Sequence, residues 1–297
     1  MRRFLPEGAL VLAAFLFGVT FPLVHNALKD VEPFAFLLLR FAIALIVLGP
    51  FAIVLARRGT AEERRLLVRA GLLAGVLLVG GYATQTIGLQ TASPSTSAFI
   101  TGLYVVFTPL VEGALHRKVP PFSVLAGIAL ATVGLYLLTG ADLAFGAGEL
   151  WTLLCAVLFA LWIVYQGEYA RRIHPIPFTT VQIVVVVVLC VPGTAAQGVG
   201  ELTGLAVFAA AFTGIACSSI ALSLQVYGQR HIGASRAALI LLTEPVFAAI
   251  AGYVDGERLG SVELVGAAVI LLGITIAELG PGRTELPHPE LVEPHPF

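Results

Sequence analysis

The feature that most constrains the fold is a series of ten apolar runs, each long enough to cross a bilayer as a helix. The runs are continuous rather than alternating, which favours membrane helices over a barrel. They cover roughly 8–28, 33–56, 66–88, 94–116, 121–139, 147–170, 177–196, 204–228, 234–254 and 261–280. Only 12% of the residues are charged, against about 25% in soluble proteins, so we predict an all-α integral membrane protein.

The second half of the chain repeats the first half. TPLV around Pro109 is matched by EPVF around Pro245, and the glycines of GIALATVG recur in GAAVILLG 139 positions later (266 − 127). Arg40 likewise corresponds to Gln182 in the second half, and the two residues lie at similar distances from opposite membrane surfaces. Because each repeat holds an odd number of helices, the second must insert upside down. We therefore predict two inverted five-helix repeats around a central cavity, over residues 8–140 and 146–280, followed by a disordered cytoplasmic tail over 281–297.

The positive charges predict the orientation. Of the 17 Lys and Arg residues, 14 lie in segments on the side of the N-terminus, two lie on the other side, and Arg40 lies within a helix. This asymmetry predicts a multi-pass protein of the inner (plasma) membrane with both termini in the cytoplasm. No basic cluster resembles a nucleic-acid footprint, so we expect no nucleic-acid partner.

Four stretches carry a family resemblance: FGVTFPLVHNAL, LRFAIA, TASPSTSAFITGLYVVFTPL, and the run from Gly233 to Ile274 that contains LLTEPVFAAIAGYVDGERLG. On these residues the chain resembles the drug/metabolite transporter superfamily, EamA type, and is similar to its aromatic-amino-acid exporters. The resemblance covers essentially residues 8–280. It implies a carrier of small metabolites, with ten helices arranged as a basket around a central cavity and no cofactor. Branches that carry phosphorylated substrates use several basic groups, whereas here Arg40 is the only cation well inside a helix.

Two charges lie inside predicted spans and are the leading site candidates. Glu244 lies near the midplane, where an ionisable group costs about 2.5–3.5 kcal/mol. One interpretation is that it binds a substrate amine or carries a coupling proton; the other is a structural carboxylate paired to Arg40 or to broken backbone beside Pro245. Arg40 is interpreted as a structural charge, with a contact to a substrate carboxylate as the alternative. Glu112 and Glu168 are expected to pair with nearby arginines at the membrane surface.

Further candidates are aromatic and small polar residues inside the spans. For each, packing between helices is the alternative to substrate binding. They are Thr20, Tyr82, Gln85, Thr101, Tyr104, Trp162, Tyr165 and Ser218. Pro22, Pro109 and Pro245 each remove a helix hydrogen bond and are either hinges or fixed kinks.

These features predict a secondary transporter that exports small metabolites, most simply amino acids with neutral or aromatic side chains, by alternating access. The expected partners are a small-molecule substrate, the lipid bilayer and a coupling proton. The alternatives are a facilitator or proton-coupled exporter of nucleosides, drugs or organic cations, and, more remotely, a membrane receptor or scaffold. Motifs such as GxSxG and HExxH are absent from the sequence, so we expect neither an enzyme nor a metal site.

Overall fold

The computed structural model describes residues 5–88, 90–92, 94–117, 119–140, 146–254 and 260–279. Within these ranges the chain is helical almost throughout, and the single β feature is an isolated bridge between Val31 and Gly200. The predicted all-α fold is confirmed. The predicted disordered tail, residues 281–297, lies outside the described residues.

Ten spans follow one another along the described chain. The first five are span 1 (Leu5–Val19 and Phe21–Ala27), span 2 (Pro33–Arg58), span 3 (Ala61–Gly88), span 4 (Pro94–Gly102 and Tyr104–His116) and span 5 (Phe122–Thr139). The second five are span 6 (Ala147–Ala170), span 7 (Pro175–Gln197), span 8 (Gly204–Thr213, a π-helical segment Gly214–Ala221, and Leu222–Gln229), span 9 (Ala234–Leu241 and Glu244–Val254) and span 10 (Ser261–Leu279). Among the described residues, eight helical stretches have the length and hydropathy of a membrane crossing, and the apolar helices of the first and last spans are shorter.

Large apolar side chains cover the outside of the bundle. Ile46, Phe51 and Val188 are 74%, 61% and 60% exposed, whereas Phe41 and Phe178 are fully buried between helices. In a bilayer the exposed side chains contact hydrocarbon. Helix association must therefore come from close packing and interhelical hydrogen bonds, because lipid is as apolar as the side chains it replaces.

Spans 5 and 10 show how the two repeats are related. A Cβ atom placed on Gly127 would lie 2.5 Å from the carbonyl oxygen of Gly273, and one on Gly273 would lie 2.6 Å from that of Gly127. Gly134 and Gly266 face each other in the same way, with both distances at 2.7 Å. Gly127 contacts Gly273 and Gly134 contacts Gly266, so the two helices are antiparallel. Each glycine of the first repeat thus contacts the residue that corresponds to the other glycine of its own helix. A two-fold relation in the membrane plane produces this pattern, so the repeats are inverted as predicted.

Two further glycine pairs extend this symmetry to spans 2, 3, 7 and 8. Gly75 of span 3 packs on the carbonyl oxygen of Gln182, and Gly214 of span 8 packs on that of Arg40. The carbonyl oxygens of Arg40 and Gln182 therefore contact glycines at corresponding positions of the two repeats, as their predicted correspondence requires.

The second of these pairs lies nearer the helix ends and extends the symmetry to spans 1 and 6, since Gly88 of span 3 packs on the carbonyl oxygen of Gly148 and Gly228 of span 8 packs on that of Pro6. The offset between spans 3 and 8 is 139 at the first glycine pair (214 − 75) and 140 at the second (228 − 88). The π-helical segment Gly214–Ala221 accounts for the difference, because a π-bulge accommodates one extra residue.

We predict that Gly134→Ala lowers the free energy of unfolding by about 1–3 kcal/mol, because the new methyl group would overlap the backbone of span 10. Gly49→Ala in span 2 is the matched control, since the nearest atom, Leu45 Cδ1, lies 4.0 Å from its Cβ position. Thermal unfolding of the purified variants in one detergent measures the difference. Equal midpoints for the two variants would contradict the close approach of spans 5 and 10.

Candidate functional site

Two adjoining cavities lie inside the bundle and share Gln85 and Glu244. The first has a volume of about 690 Å³, counted with the space at its mouth, and lies between spans 1, 2 and 3 with Glu244 of span 9. The second, of about 430 Å³ counted in the same way, lies between spans 3, 4 and 9. The polar side chains of the first cavity are Thr20, Arg40, Tyr82, Gln85, Thr86 and Glu244; the second adds Thr101 and Tyr104. The apolar walls are formed by Phe17, Val24, Leu28, Phe36, Leu37, Leu242, Pro245 and Ala248, beside Gly102.

Arg40 is fixed at the wall of the first cavity by uncharged partners. Its Nε donates a hydrogen bond of 2.8 Å to Ser218 Oγ, and its guanidinium carbon lies 5.4 Å and 5.3 Å from the ring centroids of Phe41 and Tyr82. The side chain is only 6% exposed. A guanidinium group has five N–H donors, and among the described residues only Ser218 accepts from it. The remaining donors are therefore available to a ligand in the cavity.

Glu244 is the acidic side chain at the junction of the two cavities. It is the first residue of the second helix of span 9, where the positive end of the helix dipole favours a negative charge. Among the described residues, no Lys or Arg side chain forms a salt bridge with Glu244, so Arg40 and Glu244 line one cavity without pairing to each other. The structural interpretation of Glu244 as the ion-pair partner of Arg40 therefore does not describe this arrangement.

The local sequence explains why span 9 breaks at this point. Pro245 has no backbone N–H, so it cannot make the helical hydrogen bond to the residue four positions earlier. The chain turns at Leu242 and Thr243, and Thr243 Oγ1 donates to the carbonyl oxygen of Ile240 at 2.8 Å. Glu244 is thereby placed at a helix start inside the membrane rather than in the middle of a continuous helix.

Span 1 breaks in a similar way at Thr20, one residue before the helix that contains Pro22 at its second position. Thr20 Oγ1 donates to the carbonyl oxygens of Leu16 and Phe17, at 3.0 Å and 2.9 Å, and lies 3.2 Å from Cys217 Sγ of span 8. The contact with Cys217 ties span 1 to span 8 behind the cavity.

The three prolines hold different positions in their spans. Pro22 and Pro245 each follow a break by one or two residues, whereas Pro109 is buried within the helix Tyr104–His116, six residues beyond the break at Leu103. Pro22 and Pro245 are thus associated with broken backbone beside the cavities. Their role as hinges stays a prediction, as does that of Pro109.

The structure brings six of the nine predicted substrate-binding residues to these two cavities: Thr20, Tyr82, Gln85, Thr101, Tyr104 and Glu244. Gln85 Nε2 also donates to Thr101 Oγ1 at 3.4 Å, which links spans 3 and 4. Ser218 is fully buried behind the wall and acts through its hydrogen bond to Arg40.

Trp162 and Tyr165 do not line either cavity. Trp162 Nε1 donates to Gln182 Oε1 at 2.7 Å between spans 6 and 7, and the ring of Tyr165 packs on that of Tyr169 with centroids 4.8 Å apart. Their depth was predictable from the sequence, but the direction in which each side chain points depends on the rotation of span 6.

Sequence reasoning missed several wall residues. Thr20 shares its helix face with Phe17, three residues earlier, and with Val24 and Leu28, four and eight residues later. This spacing was the signal that could have found them once Thr20 was chosen. Phe36 and Leu37 of span 2 precede Arg40 by about one turn and carry the same signal.

The two surface carboxylates make contacts other than those expected. Glu112 accepts hydrogen bonds from the backbone N–H of Ser235, at 3.0 Å, and from its hydroxyl group, instead of pairing with an arginine. Glu168 pairs with His116 of span 4 at 2.8 Å. Both predictions were wrong because the local helical neighbours were considered and contacts between spans were not.

We predict that Ser218→Ala lowers the free energy of unfolding by about 1–2 kcal/mol, because the buried Nε donor of Arg40 loses its acceptor. Ser219→Ala is the matched control, since the buried hydroxyl of Ser219 donates only to the Gly214 carbonyl oxygen of its own span, at 3.0 Å. Thermal unfolding of both variants without ligand separates the two serines. A larger loss in Ser219→Ala would contradict the role assigned to Ser218.

Comparisons with known proteins agree with this architecture. The sequence profile of the EamA-like transporter family matches residues 6–140 and again residues 146–278. An uncharacterized transporter of Archaeoglobus fulgidus is 30% identical over 281 residues, which are 94% of this chain and 87% of the relative. The uncharacterized transporter YdfC of Bacillus subtilis is 25% identical over 280 residues, with 89% and 88% covered.

A crystal structure of another protein has the same fold. It superposes with a TM-score of 0.76 at 19% identity, and the match covers 91% of this chain and 95% of that one. The two profile matches, the ten spans and the internal cavities lead to one conclusion: the chain belongs to the EamA-like transporter family and is a multi-pass membrane transporter of small molecules, not an enzyme.

Proposed function

We infer that this transporter exports small zwitterionic metabolites, with neutral or aromatic amino acids as the substrate class, by alternating access. The observation that carries the proposal is the pair of opposite charges in one cavity. Arg40 and Glu244 both line the first cavity and are not paired with each other. A free amino acid carries a carboxylate and an ammonium group, so it supplies a partner of opposite sign to each.

The remaining walls suit an uncharged side chain. In the second cavity, Tyr104 presents aromatic surface and Leu242 and Pro245 present apolar surface, and Gln85 offers a neutral hydrogen-bonding group between the two cavities. Burying a charged or strongly polar substrate side chain against such surface would cost free energy without a partner. The amino and carboxyl groups are therefore proposed to occupy the first cavity, with the side chain extending past Gln85.

Glu244 is also the proposed proton carrier. Among the described residues it is the only carboxyl group that lines either cavity. A carboxyl group there exchanges its proton for the substrate ammonium group at one position. We place the protein in the inner membrane with cytoplasmic termini, on the support of the positive-charge asymmetry. The outward direction is proposed from the resemblance to exporters.

The first prediction concerns the two charged groups of the substrate. In proteoliposomes, phenylalaninamide and N-acetylphenylalanine should compete with labelled phenylalanine about tenfold more weakly than phenylalanine itself. The amide lacks the carboxylate proposed to bind Arg40, and the acetylated compound lacks the ammonium group proposed to bind Glu244. Arg40→Gln should reduce the discrimination against the amide alone, and Glu244→Gln that against the acetylated compound alone. Equal loss of both discriminations in either variant would show that these residues shape the cavity without recognising the groups.

The second prediction concerns coupling. Flux through the wild type should follow an imposed pH gradient, whereas Glu244→Gln should retain exchange at equal pH and lose its response to the gradient. Glu168→Gln is the matched control, because Glu168 is 46% exposed and pairs with His116 away from the cavities. Flux in the wild type that ignores the gradient would indicate a facilitator. Flux of nucleosides or organic cations instead of amino acids would overturn the substrate class.

A further inference from the structure

We propose that spans 6, 7 and 8 hold a second polar substrate site, closed in this structure, which is the inverted counterpart of the first cavity. The proposal rests on the alternating-access part of the proposed function. Its central residues are Gln166, Thr179 and Gln225, and it opens on the side of the membrane where span 1 begins, the side predicted to be cytoplasmic. The site takes the polar end of the same small solute through uncharged hydrogen-bonding groups.

The symmetry of the fold identifies the counterpart. Glycine packing relates spans 3 and 8 with an offset of 140 near Gly88 and Gly228, and relates spans 1 and 6 with an offset of 142 at Pro6 and Gly148. With these offsets, Gln85 of the first cavity corresponds to Gln225 (225 − 85), and Phe17 corresponds to Phe159 (159 − 17).

The remaining wall positions follow from the same relation. Thr20 and Val24 correspond to Trp162 and Gln166, at the offset of 142. In span 2, Phe36, Leu37 and Arg40 correspond to Phe178, Thr179 and Gln182, also at 142. The wall positions of spans 1, 2 and 3 thus map onto positions of spans 6, 7 and 8 that keep a glutamine and two phenylalanines and gain further polar residues, although the ring of Phe159 packs on Tyr82 of span 3.

This region contains buried polar atoms with no partner. Five buried side-chain atoms of the described residues lack a hydrogen-bond partner, and three of them belong to Gln166, Thr179 and Gln225, while the other two belong to Glu7 and Ser223. Gln166, Thr179 and Gln225 are 1%, 1% and 2% exposed. Each such atom costs about 1–3 kcal/mol when it is buried unpaired. Packing of these side chains supplies no hydrogen bond that would offset this cost. Water or a ligand that enters the site in another conformation would supply one.

The three residues lie at one depth. Gln166 is four residues from the end of span 6 at Ala170, Thr179 is four residues from the start of span 7, and Gln225 is four residues from the end of span 8 at Gln229. Four residues correspond to about 6 Å of helix. All three ends are on the side where span 1 begins, because successive spans cross in opposite directions.

Side chains of the region itself now fill the space between these spans. The indole of Trp162 reaches Gln182 across the gap between spans 6 and 7, at 2.7 Å. Gln166 Nε2 donates to Gln229 Oε1 at 2.5 Å, and Gln229 Nε2 donates to the carbonyl oxygen of Ile163 at 2.9 Å. Trp162 occupies the place that corresponds to the small Thr20, so its movement would open the site.

Cysteine accessibility tests the proposal without knowledge of the substrate. The native cysteines are first replaced (Cys155→Ala, Cys190→Ala, Cys217→Ser), and single cysteines are then introduced as Gln225→Cys, Thr179→Cys and Gln85→Cys. Thr180→Cys is the matched control, because the Thr180 hydroxyl is satisfied by the Ile176 carbonyl oxygen at 2.8 Å and the residue is 7% exposed. A membrane-impermeant maleimide is added to sealed vesicles of either orientation, and unfolding midpoints confirm that each variant is folded.

The expected result is that Gln225→Cys and Thr179→Cys react from the side of the termini, about tenfold or more faster than Thr180→Cys, which corresponds to about 1.4 kcal/mol. Gln85→Cys should react from the opposite side. The proposal is overturned if Gln225→Cys and Thr179→Cys stay unreactive while Gln85→Cys reacts, if they react from the same side as Gln85→Cys, or if Thr180→Cys reacts equally fast.

The labelling reports exposure and not flux, so the two proposals can fail separately. Labelling of Gln225→Cys without amino-acid flux would overturn the proposed substrate and keep the second site. Amino-acid flux without labelling of Gln225→Cys would overturn the second site and keep the proposed substrate.

Discussion

The structure depends on one constraint, which is that a backbone inside hydrocarbon must satisfy its own hydrogen bonds. Continuous helices meet this constraint in spans 2, 3, 5, 6, 7 and 10. Spans 1, 4 and 9 break, and they break at Thr20, Leu103 and the pair Leu242–Thr243, beside residues that line the two cavities. Irregular backbone is tolerated at membrane depth only where it is covered by protein or lines a cavity, so the breaks are confined to the inside of the bundle, beside the cavities.

Close packing at glycines then makes the two repeats equivalent in backbone but not in chemistry. Gly134 and Gly266 bring spans 5 and 10 into backbone contact, and their symmetric exchange of partners fixes the inverted relation. The side chains do not follow this symmetry. Arg40 corresponds to the neutral Gln182, and Thr20 corresponds to Trp162, so the first repeat has an open, charged cavity where the second has a filled, uncharged region. The π-helical segment of span 8, which contains Ser218, adds a one-residue asymmetry.

Much of the fold was predictable from the sequence, because hydrophobic length and internal repetition are local properties. The ten spans, the inversion and the correspondence of Arg40 with Gln182 all follow from spacing. The contact of Arg40 with Ser218 does not, because it joins residues 178 positions apart and depends on how span 8 is rotated. Trp162 shows the same limit: its depth suited a cavity residue, but its indole points toward Gln182.

Under the proposed function, the unpaired charges make substrate and proton alternative occupants of one carboxyl group. A cavity that holds Arg40 and Glu244 cannot narrow around a charged Glu244 unless an ammonium group, a proton or Arg40 itself neutralises it, because an isolated charge in a shrinking apolar space is strongly unfavourable. Arg40 is held back by Ser218 and by the rings of Phe41 and Tyr82, which also stabilise its positive charge when no substrate carboxylate is present. Substrate and proton are then the two species that permit closure. Since one carboxyl group cannot bind both at once, each crossing carries one or the other, and that condition produces exchange of substrate against protons.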